Sequence, residues 1–125
     1  MATQNTVLIK TFTASGNNFS AATDQFIFAS LVSDGGIVEP SGANDNAIGI
    51  TQDTAKTGTG IPIAMVGTSK LRLGATLKAG DNVVPDSTGD AVLHVGSLPA
   101  SARVLEAGVS GDVVEALITH TAAAT

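Results

Sequence analysis

Short apolar runs separated by glycine-bearing polar stretches recur along the whole chain. They are "VLI" 7–9, "FIFASLV" 26–32, "AIGI" 47–50, "IPIAMV" 61–66, "KLRL" 70–73, "NVV" 82–84, "AVLHV" 91–95 and "VVEALI" 113–118. Runs of roughly this length between turn formers read as strands, and their spacing predicts an all-β fold, a small single-domain β-barrel or sandwich. Alternation is clearest at Lys70-Leu71-Arg72-Leu73, which puts both leucines on one face and both cations on the other, the mark of a half-buried strand. The intervening "SDGG" 33–36, "TGTG" 57–60, "KAGD" 78–81 and "DSTGD" 86–90 place Asp or Gly where hairpins need positive φ. Gly80-Asp81 and Gly111-Asp112 each precede a pair of valines, which predicts corners leading into core strands.

Three stretches qualify the pattern. Pro62 cannot donate to a ladder, so its strand is expected at an edge or with the missing N–H turned outward. "SARVLEAG" 101–108 fits a single helical turn or a short strand. Residues 1–19 carry an apolar trio and Phe12 in a polar run of Gly, Asn, Ser and Thr, the composition of an extended N-terminal arm. The expected division is therefore an arm over 1–19, a β domain over 20–118 and a C-terminal tail over 119–125. Val7, Leu8, Ile9 and Phe12 either reach a neighbour's sheet edge or form the first strand of the barrel. Phe26 and Phe28 share a strand face and are expected in the core.

With 125 residues, one domain is the natural reading. Charged residues make up 14% of the chain against the roughly 25% usual for soluble domains, which implies a surface of small polar residues or one partly covered by another protein. The net charge of −5 supplies no basic stripe for phosphates, which argues against nucleic acid as a direct partner. There is no cysteine for a disulfide, thiol nucleophile or thiolate metal site. "MATQNTVLIK" has no basic start before an apolar core, and no apolar run approaches membrane-spanning length, so synthesis in the cytoplasm and no membrane contact are expected.

Candidate chemistry is sparse. Asp81, Asp86 and Asp90 lack the spacing and closing Glu of a calcium loop and read as turn formers. No Gly-x-Ser-x-Gly elbow or phosphate-binding loop occurs. His94 is expected to face outward from its strand, opposite Leu93 and Val95, and His120 belongs to the tail. Asn18-Phe19-Ser20 matches a glycosylation acceptor by chance. Lys70, Arg72 and Lys78 gather half of the six cations within a short stretch, either as a solvated strand face or as a patch for an acidic partner. No catalytic, cofactor or metal site is expected.

Taken in order, "FSAATDQFIFASLVSDGGIVEPSGANDNAIGITQD" 19–53, "IPIAMVGTSKLRLGATLKAGDNVVPDSTGDAV" 61–92 and "ARVLEAGVSGDVVEALI" 102–118 resemble small phage capsid decoration (cement) proteins. The matching pieces are Ala47 to Ile50, Val66-Gly67 to Leu71, Ala79-Gly80-Asp81 with Val83, Thr88 to Val92, and Val104 to Ala107 with Gly111 to Leu117. "TGTG" 57–60 and the long "HVGSLPASA" 94–102 depart from that pattern. The resemblance implies a virion protein that binds the outer surface of an assembled head, contacts the major capsid protein as a homotrimer and reinforces the shell against packaged DNA. Val7, Leu8, Ile9, Phe12, Lys70, Arg72 and Lys78 are then the expected contact residues. A tail or baseplate structural protein, and a surface ligand- or carbohydrate-binding module, are the other classes the sequence admits.

Overall fold

The computed structural model describes residues 4–15, 19–42, 47–94 and 100–119. Val95, Pro99, His120, Asn18 and the tail beyond Thr119 lie outside the described residues. The strands are β1 (Thr6–Thr13), β2 (Phe28–Leu31), β3 (Ile37–Val38), β4 (Ala47–Thr51), β5 (Gly60–Arg72), β6 (Asn82–Pro85), β7 (Ala91–Leu93), β8 (Ala102–Val104) and β9 (Val113–Ile118). They pair in the order β3-β2-β4-β5-β9-β8-β6-β7, with β1 added on β5. This is the expected all-β class: a curled antiparallel sheet that closes half a barrel.

β5 organises the sheet because its two halves serve different neighbours. Residues 60–67 pair with β1, positions 63 and 64 pair with β4, and residues 68–72 pair with β9. Over residues 61–64 both faces are covered: Ile61 and Ile63 belong to one apolar cluster with Phe19, Ile27 and Ile37, while Ala64 belongs to another with Phe28, Leu71 and Val104. Strands buried on both faces read as continuous apolar runs, which is why "IPIAMV" shows no alternation. Beyond Gly67 the parity reverses, and Leu71 and Leu73 now enter the cluster that Ala64 faced. Gly67 carries φ +102°, and the register of β1 slips beside it, between Thr6 and Leu8 and again between Leu8 and Ile9. Such a bulge re-aims the side chains after it, and only glycine adopts this backbone without strain.

Pro62 is neither on an edge nor turned toward solvent, since β5 lies between β1 and β4. The Gln52 amide donates to the Pro62 carbonyl at 2.9 Å, so the N–H that proline lacks is owed to the Gln52 carbonyl. The Gln25 side-chain amide supplies it instead, at 3.0 Å. A side chain from the turn before β2 thereby repairs the ladder.

The two Gly-Asp corners are built alike. Gly80 (φ +94°) and Gly111 (φ +92°) take the left-handed position, and Asp81 and Asp112 each accept the amide three residues back, Lys78 and Val109, at 2.9 Å. The likeness extends across an approximate internal twofold. Gly80 N–H donates to the Val104 carbonyl as Gly111 N–H does to that of Leu73, both at 2.8 Å. Val104 N–H meets the Asp81 carbonyl at 3.0 Å and Leu73 N–H that of Asp112 at 2.8 Å, while Leu77 and Gly108 exchange both bonds at the centre. Residues 101–108 accordingly contain strand β8 and this central bridge rather than a helical turn.

The segment expected as an arm is divided. Thr6–Thr13 is a strand, and Ala14 and Phe19 are fully buried in the cluster around Ile61 and Ile63. Phe28 is buried as expected. Phe26 is only half-buried, because it closes the turn after the single 3-10 turn at Ala22–Asp24 with φ +65°. In β7, Ala91 is the buried residue and Leu93 is exposed, and His94 is partly covered.

Candidate functional site

β1 is the least covered element of the sheet. Val7, Leu8 and Ile9 are 77%, 47% and 50% exposed, and Lys10 and Thr11 are exposed as well, so both faces of the strand meet solvent over five consecutive residues. Leu8 lies opposite Val66, itself exposed, which extends the apolar surface onto β5. Phe12 departs from this set: it is half-buried against the cluster around Ile61, with the Lys10 ammonium 5.8 Å from its ring centre. The strand is thus fastened mainly by main-chain bonds to β5.

Polar side chains clamp its start. Gln4 Oε1 accepts the Lys70 amide at 3.0 Å, and its Nε2 donates to Gln52 Oε1 at 3.1 Å. Gln52 Nε2 in turn donates to the buried Ser69 hydroxyl at 2.8 Å. The Asn5 amide donates to Thr68 Oγ1 at 2.7 Å, and Thr6 Oγ1 to the Thr68 carbonyl at 3.0 Å. At the other end Ala14 exchanges bonds with Thr59 and Gly58. The exposed stretch 7–11 is therefore held taut between two anchors. None of the short polar residues at 4–6 stood out as anchors in the sequence, because their partners lie far along the chain.

The cations do not form one patch. Lys70 and Arg72 share a face of β5 opposite Glu115 and Val113, as alternation required. Lys70 holds its ammonium 5.5 Å from the Phe26 ring centre, and the Arg72 amide donates to the Phe26 carbonyl at 2.8 Å. Lys78 sits apart, exposed on the corner closed by Asp81. The start of β1 adjoins Lys70 through Gln4, but the β1 apolar surface lies on the first half of β5.

Acidic residues gather around Asp90, which also feels the Arg72 guanidinium. Burial, then the neighbouring Asp86 carboxylate, push Asp90 above the usual carboxylate range, against the pull of Arg72. Burial, then Asp24 and Asp90, push Glu39 in the same direction. Asp86 also shapes the turn, its Oδ1 accepting from the Thr88 amide and hydroxyl at 2.8 and 2.7 Å and from the Asp90 amide at 3.1 Å. Among the described residues no group of three His, Asp or Glu side chains has the arrangement of a metal site. A shallow polar dent lined by Thr13, Ser15, Asp34, Gly35 and Gly36 lies beside the end of β1. These features bring no nucleophile, base and oxyanion donors together.

No protein-family model matches the chain, and no curated protein matches it. Among solved structures, it is similar to the N-terminal base of head fiber gp8.5 of bacteriophage phi29, with a TM-score of 0.70 and 15% identity over 90% of this chain and 95% of that one. At that identity the likeness establishes a shared fold.

Proposed function

We propose that the chain is a structural protein of a phage virion that attaches to the outer surface of the head and reinforces the shell against packaged DNA. The observation that carries this reading is the fold: a head-fiber base of a phage shares it along nearly the whole chain. The ordered decoration-protein motifs over 19–118 point to the same place by a separate route. An acidic surface suits a protein outside the shell, away from nucleic acid. The exposed surface of β1, apolar at Val7, Leu8 and Ile9 with one cation at Lys10, supplies the kind of area a shell contact needs.

On this reading the partner is the major capsid protein, and the copies sit as homotrimers on the lattice. The solved likeness favours one variant of it, in which the domain serves as the foot of a longer surface appendage. Imaging of particles carrying the protein tests both. Density at regular lattice positions supports shell reinforcement, and density under projecting fibers supports the foot. Density restricted to the tail refutes both, and a stable solution dimer refutes the trimer.

A further inference from the structure

From Ile9 to Thr13, where the register of β1 on β5 is regular, the direction of the main-chain groups follows from one bond on the far side of β5. Because Gln52 N–H donates to the Pro62 carbonyl, position 62, and with it 64, aims its groups at β4. Ile61 and Ile63 therefore aim at β1, where their register partners are Phe12 and Lys10. Ala14 keeps the same parity, its amide donating to the Thr59 carbonyl at 2.9 Å. Ile9 and Thr11 are left with amide and carbonyl directed away from β5, and no described strand pairs with them on that side. Past Thr13 this outer edge is closed, because the Ser15 amide donates to the Ile37 carbonyl at 2.9 Å.

An open edge of β-branched and apolar residues is a template for another strand. A second copy of the chain fits it poorly. Antiparallel pairing in which Ile9 and Thr11 satisfy their counterparts sets Lys10 directly opposite Lys10 of the other copy, and like charges in that position are destabilising. Shifting the centre to Thr11 brings Ile9 opposite Thr13, where the edge closes. The same lysine favours a strand with a carboxylate at the facing position.

We infer that the outer edge of β1 at Ile9 and Thr11 takes up an extended segment of a different protein, with a carboxylate opposite Lys10 and uncharged residues on either side. Pairing there requires no movement of the domain, since both faces of β1 are already open. If the virion reading holds, the segment belongs to the shell, but the geometry does not depend on that reading.

The test uses the intact chain and two end-blocked peptides, Thr-Val-Glu-Val-Thr and its counterpart with Lys in place of Glu. The expected result is that the Glu peptide shifts the amide resonances of Ile9 and Thr11 more than those of Lys10 and Phe12, and that the Lys peptide binds more weakly. Lys10→Glu reverses the preference by about two- to five-fold, the range of exposed ion pairs. Thr11→Pro removes an outward amide without touching the ladder to β5, so it abolishes the response while melting close to the parent. Unshifted Ile9 and Thr11 amides at millimolar peptide, or an equal response to both peptides, overturn the inference. On particles, a folded Thr11→Pro chain that attaches as fully as the parent also overturns it for the shell. If the parent itself does not attach, the virion reading fails instead, and the peptide result still decides the edge.

Discussion

Replacing Gly67 by alanine attacks the point at which β5 changes faces. An added Cβ lies 2.5 Å from the Asn5 carbonyl oxygen and 2.8 Å from the Val7 nitrogen, both main-chain atoms that cannot swing aside. The backbone at φ +102° also strains an L side chain, at about 1–3 kcal/mol. Relief requires lifting the start of β1, which breaks the bonds from Asn5 N–H to Thr68 Oγ1, Thr6 Oγ1 to the Thr68 carbonyl and Thr68 N–H to the Asn5 carbonyl. At about 0.5–1.5 kcal/mol each, these add roughly 1.5–4.5 kcal/mol. Gly80→Ala and Gly111→Ala are the controls, with similar positive φ and nothing within 4 Å of the new Cβ. They should lose the backbone cost alone. Urea unfolding of the three variants at one pH reads the difference, and Gly67→Ala should be the least stable by about 1.5–4.5 kcal/mol. A Gly67→Ala chain within roughly 0.5 kcal/mol of the controls, the usual scatter of benign substitutions, would falsify the account of β5 as a strand turned over by a glycine bulge.

Other perturbations test separate contacts. Thr51→Val keeps the shape of a fully buried side chain but removes a hydroxyl that donates to the Asp24 carbonyl at 2.6 Å and accepts from Ile27 N–H at 3.1 Å. The unpaired partners should cost about 2–4 kcal/mol in chemical denaturation, whereas Thr51→Ser should recover most of the loss. Gln25→Ala leaves the Gln52 carbonyl without its substitute donor and should cost about 1 kcal/mol, read as a melting shift that a remote exposed substitution such as Thr76→Ala does not produce. The carboxyls of Asp90 and Glu39 are raised in the folded chain, so their stabilising contribution is full below the ordinary carboxylate range and is lost as pH rises through their folded values. Melting curves from pH 7 down to about pH 4 should therefore show Asp90→Asn more stable than the parent at neutral pH, with the gap narrowing in acid; a gap that widens in acid contradicts the repulsive cluster.

The sequence alone determined what is decided within a few residues. Alternation at Lys70 to Leu73 and the Gly-Asp corners are local consequences of side-chain period and backbone preference, and the structure places each where that logic puts it, although the runs at 61–66 and 70–73 are one strand, Gly60–Arg72. Their sum was enough for the all-β class. The tertiary structure decided whatever depends on residues distant in the chain. Gly67 reads like any loop glycine until β1 lies against it, because a bulge exists only relative to a partner strand. Gln25 and Pro62 bear no sequence relation that marks one as the other's substitute donor. The carboxylates at Asp24, Glu39, Asp86 and Asp90 come within reach of one another only once separate parts of the chain fold together. Among the expected contact residues, Val7, Leu8 and Ile9 form one exposed stretch while Phe12 packs inward, and Lys70 and Arg72 share a face of β5 while Lys78 stands on a separate corner. Hydrophobicity showed that these side chains needed cover, but only the packing of the sheet determined which of them the chain itself would cover.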